Sequence, residues 1–247
     1  MKKICIMGLG NMGNAIFGIL SMSNDFDVRG CDRDDPLGID LQWCDTCIIA
    51  VKPQDFGKLA NDITADLSEK SIISIMAGVS IGKIEKLLNV KKVVRVMPNL
   101  ALRVQKSLSG WIANKEISDE EKESVKKLLR EFGAEVEVDN EDKINMVTAL
   151  SGSGPAYFFR LAEILALYAK KHGFSEKEAR KIAESTFFGA AELLKTSGEG
   201  PCVLKEKITS KGGTTAAAFK SMDENNVEEI VLKGIKAAHK RADELNS

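Results

Sequence analysis

Histidine is nearly absent from this chain of 247 residues, which holds only His172 and His239. Both fall on charged stretches with helical patterning, and neither is expected to act as a catalytic acid or base. No apolar run approaches the ~20 residues needed to cross a bilayer, so no membrane partner is expected. Neither sign of charge prevails, since 35 basic side chains face 36 acidic ones for a formal net charge of -1. That balance argues against nucleic acid or an anionic membrane surface as the main partner. Cysteine is sparse and odd in number: Cys5, Cys31, Cys44, Cys47 and Cys202. This fits a reducing compartment better than a disulfide framework. Cys44 and Cys47 form a CxxC, but with no second pair and no nearby histidine it is weak as a metal or redox site, and no metal is expected. Cys47 reads as a buried strand residue and Cys44 as part of the loop before it. Residues 1–7 could pass for the start of a signal peptide, yet Gly8, Gly10, Asn11, Gly13 and Asn14 interrupt the apolar stretch. The expectation is a cytoplasmic protein.

What is present is a pattern that changes part-way along. Residues 3–7, 26–31, 46–51, 71–76 and 92–96 read as strands, and 12–20, 56–63 and 81–88 as helices between them, the last opened by the N-cap Ser80. Strands alternating with helices imply an α/β fold with a parallel sheet covered on both faces. Residues 108–113 and 135–138 add strands, and Ser118-Asp119-Glu120-Glu121 is a capping box for a helix to about Phe132. From about Glu141 only helical segments follow, over 141–150, 155–172, 176–196, 214–222 and 226–245. Pro155 suits a first helical turn, and Ser175-Glu176-Lys177-Glu178 is a second capping box. The expectation is therefore two domains, an α/β domain over 1–140 and an all-α domain over 141–247. The stripe Tyr157, Leu161, Ile164, Leu165 and Tyr168 reads as a core face. With so few residues in the second domain, part of that stripe is expected to pack on a second subunit.

Two glycine loops carry the chemistry. Gly8-Leu9-Gly10-Asn11-Met12-Gly13 follows the first strand and opens the first helix with GxGxxG spacing. Gly8 allows the tight turn, Gly10 lets a pyrophosphate approach the backbone, and Gly13 lets helix and strand pack closely, which together read as dinucleotide binding. The second strand ends at Cys31-Asp32-Arg33. Asp32 would bind ribose hydroxyls, favouring NAD, whereas Arg33 would hold the extra phosphate of NADP, so the choice between NADPH and NADH stays open. Near the other end, Thr209-Ser210-Lys211-Gly212-Gly213-Thr214-Thr215 precedes a strong helix start. Turned backbone N–H groups, a helix N-terminus and hydroxyls together make a receptor for a small anion, a carboxylate or phosphate.

These elements resemble the pyrroline-5-carboxylate reductase family over residues 3–223. The matching blocks are 8–13, Ala50-Val51-Lys52-Pro53, Ala77-Gly78-Val79, Arg95-Val96-Met97-Pro98-Asn99, Leu150-Ser151-Gly152-Ser153-Gly154-Pro155-Ala156-Tyr157, and the loop 210–215. The resemblance implies an N-terminal Rossmann domain followed by a helical substrate-binding and dimerisation domain. It also implies a homodimer with interlaced C-terminal helices, often assembled further. Carried over by residue, Ala50, Val51, Lys52 and Pro53 with Met76, Ala77 and Gly78 would line the cofactor. Asn99 would lie near the nicotinamide, and Glu141 would reach toward the cofactor. Ser210, Gly213, Thr214 and Thr215 would hold the carboxylate and ring nitrogen of 1-pyrroline-5-carboxylate.

In the reaction that the resemblance implies, hydride passes to the carbon of a cyclic imine to give L-proline. A protonated imine needs no strong protein acid, and Thr215 is the expected catalytic hydroxyl, orienting the ring and relaying a proton from water. The chain departs from the family at Lys211, where proline is usual, and in its short segment 34–43. A β-hydroxyacid dehydrogenase would carry a Lys and an Asn one turn apart on the first long helix of the second domain. No such Lys–Asn pair appears here, where the helix begins Pro155-Ala156-Tyr157-Phe158-Phe159-Arg160-Leu161-Ala162-Glu163. A nucleotide-sensing regulator without turnover would have little use for the glycine-threonine loop.

Overall fold

The computed structural model describes residues 1–32 and 37–246. In chain order its sheet strands are β1 (Lys2–Met7), β2 (Phe26–Cys31), β3 (Thr46–Ile49), β4 (Ser71–Ser74), β5 (Lys92–Met97), β6 (Ser107–Ala113) and β7 (Gly133–Glu137). Helices α1 (Asn11–Ser21), α2 (Leu37–Trp43), α3 (Phe56–Asp62), α4 (Ile81–Leu88) and α5 (Asp119–Arg130) lie between strands. After β7 come α6 (Glu141–Val147), α7 (Gly154–Lys171), α8 (Glu176–Thr196), α9 (Pro201–Lys207), α10 (Thr214–Glu224) and α11 (Val227–Asn246).

The strands form one sheet in the order β2-β1-β3-β4-β5-β6-β7. Alternate residues of β1 enter two different cores. Ile4 and Ile6 pack with Ile16 and Leu20 of α1, whereas Cys5 and Met7 pack with Ile49, Phe56 and Ile84. Both faces of the sheet are thus covered, which is why β3 and β4 are buried at every position. The order reverses between β1 and β3, and such a reversal leaves a crevice at the carboxyl ends of the flanking strands.

The sheet is parallel except at one pair, where β6 runs antiparallel to β5. The first five strands pair parallel, as their alternation with helices implies; β6 turns back because residues 98–106 are too few for a crossover of about a dozen residues and form instead a 3-10 turn at Leu100–Val104. Two helices were not foreseen. Segment 34–43 does carry a crossover helix, α2, of seven residues. The other is α9, which begins with Pro201 in its first turn after Gly200, a start signal that is legible in hindsight.

Both capping boxes form, at Ser118 with Glu121 and at Ser175 with Glu178. Glu121 also meets Lys92 of β5 at 2.9 Å. Burial pushes the Glu121 carboxyl up. Hydrogen bonds from Lys92 and from the Ser118 N–H and hydroxyl outweigh it and hold the pKa at about 2.

The change in sequence pattern at 139–143 and the change in packing do not coincide. By contacts one compact unit comprises Met1–Pro155 with Lys236–Ser247, and a second comprises Ala156–Ile235. Residues 141–155 stay with the sheet because α6 packs on β5 and β6. The fit is close, since a Cβ at Gly110 of β6 would lie 2.6 Å from Val147 Cγ1. In the second unit the stripe of α7 is uncovered: Leu161, Ile164, Leu165 and Tyr168 are all exposed. Among the described residues no helix is long and apolar enough to cross a membrane.

Candidate active site

The glycine turn after β1 adopts the geometry that its spacing predicts. Gly8 has φ +96°, a backbone conformation that disfavours a side chain, and its Cβ would fall 2.7 Å from Val51 Cγ1. A Cβ at Gly13 would overlap the Gly8 carbonyl oxygen, so glycine is what lets α1 approach β1. Gly10 differs: a Cβ there would meet nothing within 4 Å and would stand in open space over the first turn of α1. Asn14 donates through Nδ2 to the Leu9 carbonyl, fixing the turn from behind. Leu9 and Met12 pack against the core, while Asn11 is exposed and accepts from Arg103 at 3.5 Å.

How each helix begins separates structural starts from candidate receptors. α4, α5, α6 and α8 are capped by the side chains of Ser80, Ser118, Asn140 and Ser175. α1 and α10 begin instead on Gly10 and Gly213, in extended conformation and without a side-chain cap. Their first-turn N–H groups lack intrahelical partners and side-chain caps, the arrangement that suits a helix N-terminus to an anion. α9 also starts on a glycine, but the following proline removes a donor.

Around the crevice, Ala50, Val51, Lys52 and Pro53 follow β3, with Lys52 and Pro53 exposed. Met76 is buried after β4, followed by half-buried Ala77 and by Gly78 at φ +69°. Asn99, after β5, is held at three points. Its N–H donates to Ser107 Oγ at 2.9 Å, its Oδ1 accepts from the Ala101 N–H at 2.9 Å, and its Nδ2 donates to Ser151 Oγ at 3.0 Å. Ser151 lies on a π-helical turn, Thr148–Gly152, and donates in turn to the Leu108 carbonyl at 3.0 Å. Glu141 pairs with Arg95 at 2.8 Å and accepts from the Ile81 N–H at 3.1 Å. The structure thus brings the glycine turn and the segments after β3, β4 and β5 to one edge of one sheet. Asp32 is exposed directly after β2, and Arg33 lies outside the described residues. Residue reading gave no role to Ser151, Arg95 or Asn145, although the first two stand inside blocks that carry the family resemblance.

In the second unit, Ser210, Gly213, Thr214 and Thr215 form one tight turn. Gly212 has φ +73°, and the Gly213 N–H donates to the Ser210 carbonyl at 3.0 Å. A Cβ at Gly213 would overlap Ser210 Oγ. Thr214 is exposed, Thr215 is half-buried, and both open α10 beside exposed Lys211.

The CxxC lies away from these loops, in the sheet core. Cys44 and Cys47 approach to 3.4 Å and Cys5 and Cys31 to 3.2 Å, all as free buried thiols. Among the described residues no group of three or more His, Cys, Asp or Glu is arranged to hold a metal ion.

An open, mostly parallel sheet with its glycine turn at the order reversal, continued by helices, defines a Rossmann-type dinucleotide-binding protein with a helical C-terminal region. Residues 141–245 match the family described as pyrroline-5-carboxylate reductase dimerisation. A pyrroline-5-carboxylate reductase of Pasteurella multocida is 32% identical, over 99% of this chain and 98% of that protein. The pyrroline carboxylate reductase of Plasmodium falciparum, solved with NADP bound, superposes with a TM-score of 0.88 at 29% identity, covering 100% of this chain and 98% of that one. The pyrroline-5-carboxylate reductase of Coxiella burnetii gives 0.89 at 30% identity, over 99% and 98%. This chain belongs to the pyrroline-5-carboxylate reductase family.

Proposed function

We propose that the protein reduces 1-pyrroline-5-carboxylate to L-proline with NADPH or NADH. The observation that carries this reading is the pair of uncapped, glycine-led helix starts at Gly10 and Gly213, in a chain that matches its relatives over nearly its whole length. The residues present fit a dinucleotide: the open space over Gly10 is a cradle that any side chain would fill. The first turn of α1, with Leu9, Asn11 and Met12, receives the pyrophosphate, and Asp32 or Arg33 reads the adenosine ribose. The segments at 50–53 and 76–78, with Asn99, line the nicotinamide half. The bound cofactor supplies the hydride.

Ser210, Gly213 and Thr214 bind the substrate carboxylate at the N-terminus of α10. The Thr215 hydroxyl contacts the ring nitrogen, orients the imine and relays a proton from water. Residues 141–247 act as the substrate-binding and dimerisation domain of a homodimer with interlaced helices, open to further assembly. The exposed apolar stripe of α7 supports that reading. The balanced charge supports a reading with no nucleic-acid or anionic-membrane partner, and the five free cysteines support a cytoplasmic setting.

The test is loss of reduced-nicotinamide absorbance when purified protein meets 1-pyrroline-5-carboxylate, run in parallel with NADPH and NADH. Substrate-dependent oxidation is expected, and the ratio of the two rates distinguishes Arg33 from Asp32 as the deciding residue. Folded protein that binds a cofactor and never oxidises it would refute the reading.

A further inference from the structure

Among the described residues Arg95 is the only charged residue that is buried, at 0% exposure. Taking a guanidinium out of water is costly, and an apolar pair of similar volume is often equally stable or more so. An ion kept here points to something that an apolar pair would not supply. The geometry shows what that is. Nη1 donates to Glu141 Oε1 at 2.8 Å and Nη2 to Asn145 Oδ1 at 3.1 Å, whereas Nε finds no hydrogen-bond partner among the described residues. The same Glu141 oxygen accepts the Ile81 N–H at 3.1 Å, at the first residue of α4. Asn145 donates onward to Asp243 Oδ1 at 3.0 Å, near the end of α11. Two residues further, Leu245 fills the place that a Gly78 side chain would take: a Cβ there would lie 2.5 Å from the Leu245 carbonyl oxygen. The turn between β4 and α4 is therefore held at Ile81 by a carboxylate that Arg95 orients. At Gly78 it is closed by the last turn of α11, whose Asp243 joins the same network.

We propose that Arg95 is a positioning residue for the cofactor. Through Glu141 it fixes the N-terminal end of α4 and, with it, the turn at 76–78. The inference rests on the reading above that this turn meets the nicotinamide half. Arg95 cannot touch a ligand itself, being wholly enclosed, and Glu141 contributes by anchoring α4 as much as by any direct reach.

The deciding variant is Arg95→Met with Glu141→Met, which removes both charges and leaves neither unpaired. It is expected to melt at or above the temperature of the parent protein and to bind NADPH about tenfold or more weakly, a loss of affinity at undiminished stability that a purely structural pair would not produce. Arg95→Lys keeps the charge but loses the planar fork that reaches Glu141 and Asn145 together, and should weaken NADPH binding several-fold. A double variant that melts like the parent and binds NADPH equally well overturns the inference, because the pair would then serve stability alone. If the double variant does not fold, unchanged NADPH affinity in Arg95→Lys overturns it just as well. A parent protein that binds neither NADPH nor NADH overturns the reading of the site and this inference with it.

Discussion

In the sheet unit Ile4, Ile6 and Val94 are 0% exposed, whereas in the helical unit Phe188 is 67% and Ile230 62% exposed. The two regions draw on the same kinds of apolar side chain. Strands bury them within the chain because a sheet presents two faces and the intervening helices cover both. The helices after residue 155 carry apolar residues on more of their surface than one another can cover. Ala179 and Ala183 of α8 and Ala169 of α7 are buried, but the long side chains around them are not. An exposed apolar face of this extent marks an association surface. The sheet unit buries its apolar side chains within one copy and the helical unit leaves many of them exposed, within the stretch that matches a dimerisation family.

The strongest way to break this contrast is to charge exposed apolar positions of the helical unit. Phe159→Asp with Ile230→Asp should weaken dimer affinity by about a thousandfold, because a two-fold interface meets each substitution twice. Sedimentation should show monomers and the reductase assay little turnover, while cofactor binding by the sheet unit persists. An unchanged dimer would show that this face packs on nothing. Next in size is Gly13→Ala, whose Cβ has no room beside the Gly8 carbonyl. It should cost about 3 kcal/mol in denaturant unfolding. Gly10→Ala is its control, since that Cβ enters open space: stability should move by no more than about 0.5 kcal/mol while NADPH affinity collapses. Equal effects on folding at the two glycines would refute the division between packing and ligand roles.

Thr215→Ala probes the helical unit in the same way. Loss of one hydrogen bond to a charged group predicts a fall of about tenfold in kcat/KM, with cofactor affinity unchanged. Parental kinetics would remove Thr215 from the reaction. The smallest effect concerns acid. The Glu121 pKa is depressed to about 2 in the folded protein, against an ordinary value of 4.5. Its contribution to stability is therefore present above the ordinary value and is lost as pH falls toward 2. Thermal melting of the parent should drop toward that of Glu121→Gln over that window, and curves that stay parallel would exclude the residue as a source of acid sensitivity.

The legible parts of the molecule share one property, which is that neighbours in sequence decide them. Ser118 and Glu121 close a cap three residues apart, and Gly8, Gly10 and Gly13 act within one turn of α1. Strand and helix patterns likewise depend on windows of several residues, so the α/β half followed by helices could be read directly. The antiparallel β6 was not legible, because strand direction depends on whether the connecting chain can cross over. Nor was the attachment of 141–155 to the sheet, because helical periodicity shows that a face is buried without showing against what. Arg95 looked like one residue of a motif block, since its partners Glu141 and Asn145 lie 46 and 50 positions away.

The sequence by itself determined the glycine turn after β1, the second glycine turn before α10 and the family, because glycine at fixed spacing and blocks of matched residues are local chemistry. Only the tertiary structure decided which glycine makes room for packing and which faces open space, since that depends on what stands opposite the missing side chain. It also decided that a buried arginine ties Glu141 and Asn145 to the start of α4. Such a network exists only once strands and helices distant in the chain are brought within hydrogen-bonding reach.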